Sequence, residues 1–194
     1  MKIAVLAVQG AFLEQEKAFQ KLGMETIELR KKEDLEADFD ALVLPGGEST
    51  VQGKLLKELG MFQDLKSRIE NGMPTMATCA GVILLAGTLT NDSRTYFQTL
   101  PVSVTRNAYG RQLGSFYHEG VLKEIGNFGM EFIRAPLIEA ASPECTILGT
   151  VNDHVVAVRY RSQLALTFHP ELTDDLAVHR YFCQNIVNEI DNMP

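Results

Sequence analysis

The sequence predicts an α/β fold: a doubly wound, mostly parallel sheet with antiparallel strands added in the C-terminal half. Three observations predict it. Apolar runs of strand length alternate with helix-length amphipathic segments up to Thr78, the β-α-β-α-β order of a parallel sheet covered on both faces. After about residue 87 the pattern changes to short β-like pieces separated by turns, which predicts antiparallel strands extending or flanking that sheet. The chain then ends on an amphipathic helix. In 194 residues there is no repeat, no low-complexity segment and no linker long enough to divide the chain, so one domain over residues 1–194 is expected.

Residues 2–8 form one run that is apolar throughout after Lys2, as a strand buried on both faces requires. Gln9-Gly10-Ala11 turns the chain into a helix whose apolar face carries Phe12, Phe19 and Leu22, with Glu14, Gln15, Glu16 and Lys17 on the wet side and Gly23 as its stop. Met24–Leu29 alternates as strand two, and Asp40–Leu44 is strand three. Helices follow over Val51–Leu59 and Met61–Glu70, broken by Gly60 and by Asn71-Gly72. Met73–Met76 is a short buried strand, and Val82–Ala86 gives the apolar face of the next helix. Val102–Thr105, Glu131–Ile133, Thr146–Thr150 and Val155–Val158 read as strands, with Asn152-Asp153 as a hairpin turn. Leu164–Phe168 is a further strand ending at His169. The final helix is expected to start near Thr173 as N-cap, with Asp174 and Asp175 in its first turn and Leu176, His179, Phe182, Cys183, Ile186 and Ile190 as its buried stripe.

Composition excludes several classes of function. The net charge of −7 gives nucleic-acid binding no electrostatic support, and the one basic run, Arg30-Lys31-Lys32, reads as a solvated turn. No apolar stretch approaches the roughly 20 residues that span a bilayer. The apolar N-terminus runs directly into Gln9-Gly10, Glu14 and Glu16, as a first strand does and a signal peptide does not. Three widely spaced cysteines do not make a disulfide framework, and a reducing cytoplasm is the expected compartment.

Three segments carry chemistry. In Ala77-Thr78-Cys79-Ala80-Gly81 a cysteine stands between a strand and a helix among small residues. This is the spacing of a nucleophile elbow, which lifts the side chain off the sheet onto a helix N-terminus that favours thiolate. His169-Pro170-Glu171 places a carboxylate two residues from an imidazole. In an extended segment both point the same way, and the carboxylate would fix the ring's tautomer and stabilise its charged form. Pro45-Gly46-Gly47-Glu48-Ser49-Thr50 follows a strand with two glycines, so backbone N–H groups can face a ligand at the carboxyl edge of the sheet. No Gly-Lys-Ser/Thr follows, so this is not a P-loop. Each segment alone also fits a bland role: a tight turn, a surface loop, a capped helix start. Together they make a nucleophile, a base with its orienter, and oxyanion donors at Gly46, Gly47 and Ala80.

Those three segments resemble the triad-type (class I) glutamine amidotransferases, and more narrowly the glutaminase subunits of pyridoxal 5′-phosphate synthase. Gln9-Gly10-Ala11-Phe12, Arg106-Asn107-Ala108-Tyr109-Gly110-Arg111-Gln112 and Phe132-Ile133-Arg134-Ala135-Pro136 extend the resemblance over nearly the whole chain. It implies a flavodoxin-like fold, Cys79 as nucleophile, His169 as base and Glu171 as its orienter. It also implies glutamine binding at Gly47, Glu48, Ser49, Arg106, Ile133 and Arg134, the arginines suiting a carboxylate. It implies L-glutamine as substrate, no cofactor, pyridoxal 5′-phosphate being the product of the complex, and a synthase subunit as partner in a large hetero-oligomer. The alternatives are a glutaminase subunit of another amidotransferase and a stand-alone thiol hydrolase of similar fold. Ala77 departs from the glycine usual two residues before the nucleophile, and the small methyl is expected to be tolerated. Ser115–Glu119 and the segment between Lys123 and Glu131 also depart, which bears on partner contacts rather than on catalysis.

The other candidates have plainer readings. Cys183 and His179 lie on the apolar stripe of the last helix, Cys145 has no histidine motif near it, His154 sits by a hairpin turn, and His118 lies in an irregular stretch. No His, Cys or Asp pair has metal-ligand spacing, so no metal is expected.

Overall fold

The computed structural model describes residues 1–108 and 115–188. The N-terminal half alternates as its sequence pattern requires: β1 (Lys2–Leu6), α1 (Phe12–Lys21), β2 (Glu25–Leu29), β3 (Ala41–Leu44), α2 (Ser49–Glu58), α3 (Phe62–Glu70), β4 (Thr75–Thr78) and α4 (Ala80–Leu85). The second half adds β5 (Ala86–Leu89), β6 (Leu100–Thr105), β7 (Ser115–Leu122), β8 (Gly126–Ile133), β9 (Leu137–Ala141), β10 (Thr146–Val151), β11 (His154–Tyr160), β12 (Gln163–Leu166) and α5 (Ala177–Phe182), which runs on into a π-helical turn over Cys183–Val187.

The main sheet has the order β2-β1-β3-β4-β12-β11-β9-β6-β5, with β10 paired to β11. The strands from β2 through β12 are parallel, and antiparallel pairing begins where β11 meets β12. β7 and β8 form a separate hairpin. The chain reverses direction across the sheet at β1, whose neighbours are β2 on one side and β3 on the other. This switch point opens a crevice at the carboxyl ends of the strands.

The apolar run of β1 feeds two cores. Ala4 and Leu6 pack on one face with Leu56 of α2, Leu65 and Ile69 of α3, and Val82 and Leu85 of α4. Ile3 and Val5 pack on the other with Phe19 of α1, Phe182 of α5, and Phe128 and Phe132 of β8. Period-two alternation inside the apolar run Ile3–Leu6 is what a sheet covered on both faces demands. At the elbow, α4 lies so close to β3 that a Cβ on Gly81 would sit 2.2 Å from the Leu44 carbonyl oxygen.

The structure corrects four local expectations. The last helix starts at Ala177, not near Thr173: the Thr173 hydroxyl donates to the Pro170 carbonyl at 3.1 Å and closes a 3-10 turn over Pro170–Leu172, while the Asp175 carboxylate accepts from the Ala177 N–H at 2.8 Å. His118 is not in an irregular stretch but in β7, paired with Met130. Gln15 is fully buried rather than on the wet side of α1. His169 and Glu171 are joined across that 3-10 turn, not along an extended segment. Of the expected stripe on the last helix, Ile190 lies outside the described residues, as do Tyr109, Gly110, Arg111 and Gln112.

Candidate active site

Cys79 sits between the last residue of β4 and the first of α4 with φ 47° and ψ −102°, a left-handed conformation that a side chain adopts only under constraint. The constraint is visible. The Cys79 N–H donates to the Leu166 carbonyl at 2.8 Å, and its own carbonyl accepts from the Val82 N–H at 3.1 Å. The elbow is thereby pinned to β12 on one side and to α4 on the other.

The base arrives from that same neighbouring strand. β12 lies beside β4 with Leu166 opposite Thr78, so His169, three residues past Leu166, reaches the residue after Thr78. The His169 N–H donates to the Glu131 carbonyl of β8 at 2.8 Å, which fixes the backbone at the strand end. Its Nδ1 meets Glu171 Oε1 at 2.7 Å, and the Cys79 thiol is its other side-chain partner. Burial alone would push this imidazole down. The hydrogen bonds to Cys79 and Glu171 and the charges on both outweigh burial and raise it to about 10. The charged ring therefore stands ready as a proton donor at neutral pH. Space for it comes from Gly46, where a Cβ would lie 2.2 Å from His169 Cε1.

A cavity of about 640 Å³ opens over Cys79, a volume suited to a small ligand. It is lined by Gly46, Gly47, Glu48, Ser49, Cys79, Ala80, Arg106, Ile133, Arg134 and His169. Every residue singled out from the sequence is in this wall except Glu171, which stands behind His169. The backbone donors divide differently from the expectation. The Gly46 N–H donates to Thr78 Oγ1 at 3.0 Å and so is turned away from the ligand space. Gly47 and Ala80 remain as wall residues, and Ala80 opens α4, where a first-turn amide has no partner within the helix.

Arg106 is held from three directions. Its Nη1 donates to Asp92 Oδ2 at 2.7 Å, and its Nη2 to Glu48 Oε1 and Thr50 Oγ1, both at 3.0 Å. Asn91 grips its backbone, accepting from the N–H at 3.1 Å and donating to the carbonyl at 2.9 Å. Arg94 first, and Arg106 with it, hold the Asp92 carboxyl well below the usual carboxylate range. Glu48 also accepts the Thr50 N–H at the start of α2, and its own N–H donates to Gln9 Oε1 at 2.7 Å. Gln52, fully buried, ties Gln9 to Pro45 by donating to both carbonyls. Arg134 has φ 45°, and Ile133 brings its carbonyl within 3.8 Å of Cys79 Sγ.

This geometry is that of a thiol hydrolase, and a comparison of sequences narrows it. Residues 5–188 match the model of the SNO glutamine amidotransferase family. The chain belongs to that family. The pyridoxal 5′-phosphate synthase subunit PdxT of Desulfitobacterium hafniense (strain DSM 10664 / DCB-2) is 55% identical over 186 residues, 96% of this chain and 94% of its own. The protein of the same name from Haemophilus influenzae (strain PittEE) is 48% identical over 185 residues, 94% of this chain and 96% of its own. A solved structure described as a glutamine amidotransferase superposes with a TM-score of 0.90 at 40% identity, covering 96% of this chain and 98% of its own.

Sequence reasoning missed Asn91, Asp92, Thr78, Gln52 and Gln15 as site residues, and gave Gln9 no role. For Gln15 a signal existed. Phe12, Gln15, Phe19 and Leu22 follow one another at three-, four- and three-residue steps, so its spacing put it on the inner face although its polarity argued otherwise. Asn91 and Asp92 lie in a turn with no pattern to distinguish them.

Proposed function

We propose that this chain hydrolyses L-glutamine to L-glutamate and ammonia, and that it is the glutaminase subunit of a pyridoxal 5′-phosphate synthase. The observation that carries this reading is the Cys79–His169 pair in the cavity wall, backed by Glu171, with Arg106 and Arg134 lining the same cavity. Glutamine enters with its α-carboxylate toward an arginine and its side-chain amide over Cys79, bounded by Gly47, Glu48, Ser49 and Ile133. The thiolate adds to the amide carbon, and the C=O electron pair moves onto oxygen. Gly47 and Ala80 N–H groups receive that oxyanion, a donor of this kind contributing about 3 kcal/mol. The His169 imidazolium protonates the amide nitrogen as the C–N bond breaks and ammonia leaves. Neutral His169 then takes a proton from water, whose oxygen attacks the thioester. Glutamate departs, and the proton returns the site to its resting state.

The reading needs no metal or cofactor of the chain's own, and ammonia passes to a synthase subunit in a large hetero-oligomer. It places one glutaminase domain in the reducing cytoplasm, which suits a free thiol nucleophile and three unpaired cysteines. Among the described residues, no helix is long and apolar enough to cross a membrane.

The test is glutamine hydrolysis with and without the synthase subunit, for the wild type and for Cys79→Ala. The wild type is expected to hydrolyse glutamine weakly or not at all alone and readily in the complex. Cys79→Ala is expected to lose turnover in both while keeping its circular dichroism spectrum. Hydrolysis by Cys79→Ala at the wild-type rate overturns the mechanism. Full wild-type activity alone, without preference for glutamine, points instead to a stand-alone thiol hydrolase, and activation only by another synthase points to another amidotransferase.

A further inference from the structure

The hydrogen-bonded line behind the imidazole does not end at Glu171. Its second oxygen, Oε2, accepts from Gln15 Nε2 at 2.9 Å. The same amide nitrogen donates to Thr78 Oγ1 at 3.3 Å, the hydroxyl oxygen that also accepts the Gly46 N–H. On its far side Gln15 Oε1 faces His179 Nε2 at 3.0 Å. Gln15, Thr78 and His179 are all completely buried.

The direction of this chain is forced. A carboxylate only accepts, so the amide nitrogen of Gln15 must face Glu171 and its oxygen must face His179. That oxygen also only accepts, so His179 carries its proton on Nε2. The opposite ring nitrogen, Nδ1, is buried with no partner among the described residues, and a proton there would have nothing to bind. Burial pushes His179 down to about 4, so it stays the neutral tautomer the chain requires. Phe19 packs against the ring edge-on at 5.0 Å and holds its plane.

A buried amide–imidazole pair is a poor choice for packing α1 against α5, since apolar side chains of similar volume would do this without desolvating polar groups. The pair has a use at Glu171, whose side chain is wholly shielded from solvent and must find its donors within the protein. We propose that Gln15, oriented by His179, is the positioning residue of this site: it fixes the Glu171 rotamer that presents Oε1 to His169, and through Thr78 it ties that carboxylate to the Gly46 loop. The proposal rests on the glutaminase reading above.

The test uses the complex with the synthase subunit and the variants Gln15→Leu, His179→Phe and His179→Gln. Cys183→Ala, a buried change on the same terminal helix with no polar link to the site among the described residues, serves as control. The charged partners of His169 are Glu171 and Cys79, and a carboxylate free to rotate stabilises the imidazolium less. Gln15→Leu is therefore expected to lower kcat about tenfold or more, the low end for losing an outer-shell partner, with KM for glutamine little changed. The basic limb of its pH profile should move to lower pH. His179→Phe should move both the same way by less, and His179→Gln, which keeps a donor, should recover most of that loss. Cys183→Ala should lower the melting temperature without moving the limb. The pH profile of Cys79 alkylation by an uncharged haloacetamide, read by peptide mass on the isolated chain, changes step where His169 loses its proton and so reads the same titration without glutamine or synthase. Should the wild type fail to hydrolyse glutamine, the glutaminase reading falls while this profile still tests the positioning. If Gln15→Leu does not fold, the two His179 variants decide. An unmoved limb and unchanged kcat in the folded variants, or an equal shift in Cys183→Ala, overturns the proposal.

Discussion

Gly46 shows how a single missing atom shapes the site. Its carbonyl accepts the Ala11 N–H at 2.9 Å and its N–H goes to Thr78, so both backbone groups are used in holding the loop. What it gives the site is space, because a methyl group would overlap His169 Cε1. The ring cannot swing away cheaply, being buried and bonded to Glu171. Gly46→Ala is therefore expected to displace the imidazole and lower glutamine turnover on the order of 100-fold, the scale of a 1 Å misplacement. Overpacking should lower stability by about 1–3 kcal/mol. Steady-state rates and denaturant titration check both. The sequence marked Gly46 as a residue of the site for a different reason, as an oxyanion donor, because a Pro-Gly-Gly run after a strand declares its freedom but not which way its amide points.

At the scale of elements, legibility followed the strength of the period. The apolar runs of β1 and β3 and the helices α1, α2 and α3 were readable because burial on fixed faces leaves a repeat in the sequence. β7 was not readable. Its exposed face mixes Tyr117 and Val121 with Ser115 and Glu119, and its inner face mixes His118 and Gly120 with Phe116 and Leu122, so no clean alternation shows in the sequence. It is a strand because β8 pairs with it along its whole length, a tertiary cause that leaves little local mark. The start of α5 moved for a local reason. Thr173 and Asp175 compete for the same chain end, and the hydroxyl serves the preceding 3-10 turn while the carboxylate serves the helix. The Cys79 elbow was legible as a motif. Its positive φ is imposed by β12 and α4, which no five-residue window contains.

The assembled molecule joins what the chain keeps ninety residues apart. Only the placement of β12 beside β4 brings His169 to Cys79, and periodicity, which marks each strand singly, carries no strand order. Two buried histidines then contribute to the pH response of the fold with opposite signs. His179 titrates near 4 when folded and near 6.5 when unfolded, so between these values the unfolded chain binds the extra proton. Its contribution is complete above 6.5 and is lost as pH falls toward 4. His169 titrates near 10 when folded and 6.5 when unfolded, so its contribution is complete below 6.5 and is lost as pH rises toward 10. Melting temperature is expected to peak near neutrality and to fall on both sides. His169→Gln should flatten the alkaline slope and His179→Phe the acid one. A slope that survives its own substitution would place the titration elsewhere.

The central claim is that Cys79, and no other thiol, is the nucleophile toward glutamine. A diazoketone analogue of glutamine, given to the complex with its synthase subunit and followed by peptide mass, tests this most directly. The account predicts one adduct per chain, on Cys79, prevented by excess glutamine and absent from His169→Gln. Labelling of Cys145 or Cys183 with Cys79 left free, or labelling of Cys79 that glutamine does not slow, would contradict it.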